Sequence, residues 1–361
     1  MAWNRMKLAF AGSAALLLLL LGGGAAESPP RLPRTNLLVY RTQSGEVRPV
    51  EKRADWLKRR QEILRGMQSI MGPLPGKERR CPLDPILQEE VDCGTYGCRL
   101  ISYASEPHSR VPAYLLIPKQ GLVPHQKLPA VLALHPTDME FGHRVVVEQL
   151  RPAYRAYARD LAEGGFVVLA PAYPLLANYE PDLKALGYQS GTMKAIWDNH
   201  RGLDLLESLP FVRKGSFGVI GHSLGGHNAI YTAVFDSRIK VIVSSCGFDS
   251  FSAYMNGRIQ GWTSERYMPK LLDYRDRLDQ IPFDFHELIG TLAPRPVFIS
   301  APLGDTNFRS SSVDEIAEVA APVYRLYRAP QNLKVEHPDC AHDFPPVIRE
   351  KAYRFIAEHL R

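Results

Sequence analysis

The residues best placed to do chemistry sit where short apolar runs end. Gly221-His222-Ser223-Leu224-Gly225-Gly226 follows "FGVI" and precedes "HNAIYTAVF". A hydroxyl between glycines, where a strand pattern gives way to a helix pattern, marks a nucleophile on a tight turn. A side chain at either flanking glycine would collide with the neighbouring strand or helix. The turn lifts the hydroxyl above the sheet, and the helix start behind it presents free N–H groups to an anion. The chemistry this predicts is acyl transfer through Ser223.

A serine hydroxyl is a poor nucleophile and needs a base. With such a turn the base follows an acid, in the chain order Ser, acid, His. Of the eleven histidines, His342 in "PDCAHDFPP" follows the last apolar run, in a loop rich in Pro and Asp, and is the expected base. An imidazole base needs a carboxylate to fix its tautomer. Asp305, after the penultimate run "VFISAP", is the expected acid, and Asp249, after "VIVSSCGF", is the alternative. The developing oxyanion needs two N–H donors. One is Leu224, directly after the nucleophile. The other comes from the loop after "AVLALHP"; Pro136 has no N–H, so Thr137 is the candidate, with His135 shaping the loop.

The elements that must position these groups are legible from residue 97 onward. "CRLISYAS" and "VPAYLLIPK" read as strands joined at "EPHSR". "LPAVLALHP", "FVVLAPAYP", "FGVIGHS", "IKVIVSSCG", "RPVFISAP" and "LKVEHPD" read as further strands. Between and after them run helical patterns, including 145–165, 191–210, the stretch after Ser223, "HELIGTLAP", "VDEIAEVAAPVYRLY" and a terminal helix. Apolar strands alternating with helices predict a mostly parallel sheet covered on both faces, an α/β fold. Ligands then bind beyond the carboxyl ends of the strands, where all the residues above fall. Upstream, residues 52–71 carry apolar residues at helical spacing and are stopped by "GPLPG".

The 361 residues, 45% hydrophobic and 23% charged, have ordinary globular composition. The formal charge of +6 is spread out, with no aromatic-interleaved basic stripe, so nucleic acid is not an expected partner. Arg5 and Lys7, the apolar "LAFAGSAALLLLLL" and the small-residue "GGGAAES" have the layout of a secretory signal peptide. Residues 1–26 are the expected signal, with an uncleaved anchor as the alternative; once it is removed, no membrane association is expected. The reading is of a secreted or periplasmic protein, with residues 27–84 as an N-terminal extension and 85–361 as the catalytic domain. The oxidising compartment permits disulfides. The cysteines are Cys81, Cys93, Cys98, Cys246 and Cys340, an odd number. Cys93 and Cys98 flank a turn. Cys246 and Cys340 both follow strands near the expected base, and a bridge or two free thiols are both open there. No metal-ligand spacing is present, and neither a metal nor a cofactor is expected.

"LPAVLALHPT", "FGVIGHSLGGH", "PLGD" and "PDCAHDFP", in this order, resemble the α/β-hydrolase superfamily, in particular its dienelactone-hydrolase and acetyl-xylan-esterase-like branch of secreted bacterial proteins. The resemblance covers about residues 85–361. It implies an eight-stranded, mostly parallel sheet with helices on both faces and a Ser223–Asp305–His342 triad. Dienelactone hydrolases proper carry cysteine at the elbow, so lactone opening is not implied. The loop reads His-Pro-Thr where many relatives have His-Gly.

The expected activity is hydrolysis of a small-molecule or carbohydrate ester. The stretch 250–284, rich in aromatic and basic residues, is a possible cap, with Trp262, Arg266 and Tyr267 as pocket candidates and 173–188 as another wall. Two alternatives stand beside this reading. A peptidase of the prolyl-oligopeptidase type would need a propeller that the roughly 60 residues before the core cannot build. A non-catalytic binding protein on a hydrolase fold would not require all three triad groups. The sequence leaves the oligomeric state open.

Overall fold

The computed structural model describes residues 31–120, 127–148, 150 and 155–361. The expected signal peptide lies outside these residues.

The chain begins with a small hairpin, β1 (Val39–Arg41) and β2 (Val47–Pro49), and then α1 (Arg53–Met71). Three strands follow: β3 (Ile86–Asp92), β4 (Tyr96–Glu106) and β5 (Ser109–Pro118). The alternating part comprises β6 (Leu128–Leu134), α2 (Tyr157–Glu163), β7 (Val167–Pro171), α3 (Gly191–Ser208), β8 (Val212–His222), α4 (Leu224–Phe235) and β9 (Ile239–Ser245). It closes with α5 (Phe285–Leu292), β10 (Val297–Ser300), α6 (Ser310–Leu326), β11 (Leu333–Glu336) and α7 (Pro346–Leu360).

The main sheet has the strand order β11-β10-β9-β8-β6-β7-β5-β4-β3. Strands β6 to β11 run parallel, and β5, β4 and β3 continue the sheet antiparallel. The sheet therefore has nine strands rather than the expected eight. The extra one is β3, "ILQEEVD", whose residues are all exposed. An edge strand that buries neither face carries no hydrophobic alternation, so the pattern that reveals strands is missing from it. Its charged residues also suit an edge that must not pair further.

The central strands alternate between two cores. Ala130, Leu132 and Leu134 of β6, with Val219 of β8, face the core shared with α1, α3, α4, α5 and α6. Val131 and Ala133, with Ile220, face the core of α2 and α7. Both faces are thus covered by helices, which is why these strands read as continuous apolar runs. The helix expected over 145–165 is much shorter. A 3-10 turn spans Gly142–Val146 and α2 only Tyr157–Glu163.

Helix starts are well specified. The Ser190 side chain accepts from the N–H of Met193 at 3.0 Å. Asp284 and Glu287 form a reciprocal capping box at α5. The same two buried carboxylates hold the first described residues in place: Arg31 reaches Glu287 at 2.7 Å and Arg34 reaches Asp284 at 2.5 Å. Trp56 of α1 is fully buried in the larger core, so the segment before the sheet packs into it.

Strand order places the reversal of chain direction at β6, with β7 on one side and β8 on the other. That switch point opens a crevice beyond the carboxyl ends of β6 and β8.

Candidate active site

Ser223 sits between β8 and α4 with φ +55° and ψ −122°, a conformation that costs a non-glycine residue of order 1–3 kcal/mol. Its neighbours hold it there. The Ser223 N–H donates to the Ser245 carbonyl at 2.8 Å, and the His227 N–H donates to the Ser223 carbonyl at 3.0 Å. The flanking glycines are required by contact. A Cβ on Gly221 would lie 2.1 Å from the Gly225 backbone, and one on Gly225 only 1.8 Å from the Leu134 carbonyl oxygen.

The histidine comes from a loop. Beyond β11 the chain runs without regular structure to α7, and this segment carries His342 to the serine. His342 Nε2 lies 2.9 Å from Ser223 Oγ, and its Nδ1 lies 2.9 Å from Asp305 Oδ2. An ionised carboxylate only accepts, so Nδ1 carries the proton and Nε2 is free to accept from the serine hydroxyl. Asp305 Oδ1 accepts from the N–H groups of Asn307 at 2.8 Å and Phe308 at 3.2 Å. Burial alone would raise its pKa, but the hydrogen bonds and charge of His342 and the two N–H donors outweigh it and hold the carboxyl below its usual range.

The rival carboxylate is placed differently. Asp249 Oδ2 accepts from the Arg309 N–H at 3.1 Å, and Oδ1 is buried without a partner. Burial pushes its pKa up to about 7. Of the two aspartates, Asp305 is the one hydrogen-bonded to His342.

The loop after β6 is pinned by His135. Burial depresses the pKa of this ring to about 4, so it is neutral. Its Nε2 accepts from the Tyr173 N–H at 2.9 Å, which puts its proton on Nδ1, 2.8 Å from the Pro136 carbonyl. Thr137 follows, with Oγ1 3.3 Å from the Tyr267 hydroxyl. Leu224 is the first residue of α4, and its N–H is among those a helix start leaves without an intrahelical partner.

Of the pocket candidates, Tyr267 meets the Thr137 loop. Trp262 is buried, stacked on His227 at 4.3 Å between centroids and close to parallel with Phe308. Phe308 in turn lies 5.8 Å from the His342 ring. Arg266 donates to the Leu175 carbonyl at 3.0 Å, tying the 250–284 segment to the wall after β7. That segment is a chain of short 3-10 turns held down by buried Phe251, Ile259, Met268 and Phe283.

All five cysteines are free thiols. Cys246 is buried at the end of β9, and its Sγ lies 3.4 Å from the Asp343 carbonyl. Donor atoms of Cys246, Asp305 and His342 lie within 4.8 Å of one another, close enough to share a metal ion. Both His342 nitrogens are already engaged by Ser223 and Asp305. Sequence reasoning missed Arg155, whose guanidinium donates to the His342 carbonyl at 3.0 Å. No local pattern announces a contact between residues so far apart in the chain.

Comparison with known proteins agrees with this architecture. A family model described as fungal glucuronyl esterase matches residues 184–327, which take in Ser223 and Asp305 but stop short of His342. The putative hydrolase YtaP of Bacillus subtilis is 25% identical over 315 residues, covering 84% of this chain and 99% of that protein. A glucuronoyl esterase from Solibacter usitatus superposes with a TM-score of 0.72 at 18% identity, over 92% of this chain and 99% of the other. A putative acetyl xylan esterase from Bacteroides fragilis gives a TM-score of 0.58 at 18% identity, over 79% and 76%. The chain has the α/β-hydrolase fold and resembles carbohydrate esterases.

Proposed function

We propose that the protein is a serine esterase that cleaves a carboxylic ester on a carbohydrate. The observation that carries this reading is the unbroken relay Ser223 Oγ, His342 Nε2, His342 Nδ1, Asp305 Oδ2, with both links at 2.9 Å. It is supported by the match to the glucuronyl esterase model across the elbow. His342 takes the proton from Ser223 as the oxygen attacks the ester carbonyl. The Leu224 and Thr137 N–H groups receive the oxyanion. Asp305 holds the imidazole in the accepting tautomer and stabilises the imidazolium. His342 then protonates the leaving alcohol, and water repeats the sequence on the acyl-enzyme. The chemistry requires no cofactor.

Export is part of the same reading. It rests on the basic, apolar and small-residue segments of residues 1–26. Among the described residues no helix is long and apolar enough to cross a membrane.

The test is turnover of p-nitrophenyl acetate and of a methyl glucuronate ester by the wild type and Ser223→Ala, with a fluorophosphonate label. Wild-type turnover, labelling at Ser223 and a loss on the order of 10⁶-fold in the variant are the expected results. A wild type that neither turns over nor labels would return the chain to a binding role.

A further inference from the structure

We propose that Arg155 and Cys246 are positioning residues that clamp the two peptide carbonyls at His342 and Asp343 and so hold the imidazole on Ser223. The inference rests on the esterase reading above. His342 lies in a segment outside helix and sheet; the N–H groups of Leu303 and Gly304 hold its Pro338 and Cys340 carbonyls at 3.0 Å, whereas the carbonyls of His342 and Asp343 are met by side chains. Two parts of the chain supply them. The Arg155 guanidinium, two residues ahead of α2, donates to the His342 carbonyl at 3.0 Å, and its Nε lies 3.7 Å from Asp343 Oδ1. The Cys246 thiol, beyond β9, lies 3.4 Å from the next carbonyl, that of Asp343.

The thiol is suited to donate. Burial pushes its pKa upward, so it keeps its proton. Its backbone is fixed, with the N–H donating to the Ser300 carbonyl at 2.9 Å and φ at +47°. The Asp305 carboxylate lies in the same cluster, so Cys246 borders both the loop that carries the base and the acid that orients it. His222 completes the seat: its ring lies 5.1 Å from the His342 ring and stacks on Phe344, with Nδ1 3.0 Å from Ser245 Oγ. Packing thus restrains the imidazole laterally, while the two donors set its distance from the serine.

Arg155→Ala, Arg155→Lys, Cys246→Ala and Cys246→Ser are compared with the wild type for kcat, KM, phosphonate labelling rate and amide hydrogen exchange over 339–344. A displacement of about 1 Å at a reacting group costs on the order of 10²-fold. Arg155→Ala is therefore expected to lose roughly that factor in kcat and in labelling rate, with KM little changed. Exchange should accelerate over 339–344 while the central strands stay protected. Added methylguanidinium should restore part of the activity of Arg155→Ala. Cys246→Ala should lose about tenfold in kcat, less than Arg155→Ala because a thiol is a weak donor, and Cys246→Ser should recover part of that loss. An active wild type with Arg155→Ala unchanged in kcat and loop exchange overturns the clamp. So does a loss that tracks global melting, with no added exchange in the loop and no rescue. A wild type that neither turns over nor labels is the distinct failure of the esterase reading, and the clamp falls with it.

Discussion

Replacing Asp305 by Asn tests the relay through one proton. The two carboxylate oxygens have unequal surroundings: Oδ1 faces two backbone N–H donors, and Oδ2 faces His342 Nδ1. In Asp305→Asn the amide has one accepting oxygen and one donating nitrogen. The two N–H groups hold the oxygen on their side, which turns the NH₂ toward His342. A donor there requires an unprotonated Nδ1, so the ring proton moves to Nε2 and faces Ser223. The base then holds a proton where it must accept one, while the packing around it is unchanged. The same change in a serine protease triad drops kcat by about 10⁴, which corresponds to roughly 5 kcal/mol of barrier. Steady-state kinetics on a chromogenic ester should show that loss in kcat with KM nearly constant and the melting temperature close to the wild type. Asp249→Asn should leave kcat near the wild-type value. If Asp305→Asn retained activity within tenfold, or if Asp249→Asn lost more, the assignment of the acid would be wrong.

Two further expectations concern the fold that carries the site. Gly225→Ala would drive a Cβ to 1.8 Å from the Leu134 carbonyl; backbone lies on both sides, so β6 and the elbow must separate. A sharply lower melting temperature together with lost ester turnover is expected, and a variant that melts and turns over as the wild type does would refute it. Asp249 supplies a pH signature. Its folded pKa of about 7 lies above the ordinary carboxyl value, so the folded state binds more protons between about pH 4 and 7, and stability from this group falls as pH rises through that window. Asp249→Asn should therefore raise the melting temperature at pH 8 relative to the wild type, with the gain shrinking toward pH 4; equal shifts at both pH values would remove Asp249 as the source.

Legibility followed burial. The parallel strands were readable because both faces are covered and every position is apolar, as in β6 and β7. The elbow was readable because its Gly-x-Ser-x-Gly spacing lies within five consecutive residues, although the contact that bars a side chain at Gly225 is with Leu134 of β6. β3 was not, because nothing on it is buried. The 250–284 segment was legible only as rich in aromatic residues. Its turns and the stacking of Trp262 on His227 depend on what α4 presents to it.

The sequence by itself determined the alternation of strands and helices and the glycine-flanked turn that carries Ser223, with Asp249, Asp305 and His342 following it in the chain. These are properties of neighbouring residues, set by steric fit and by the period of apolar burial. Only the tertiary structure shows which of Asp305 and Asp249 is hydrogen-bonded to His342: it is Asp305. Both end adjacent strands and both are chemically able; the choice depends on where a loop places the His342 ring relative to each. It also decided that Cys246 and Cys340 stay apart and that Arg155 reaches the His342 carbonyl. Such contacts join residues distant in the chain, and a local pattern cannot specify them because their geometry is set by how whole elements pack.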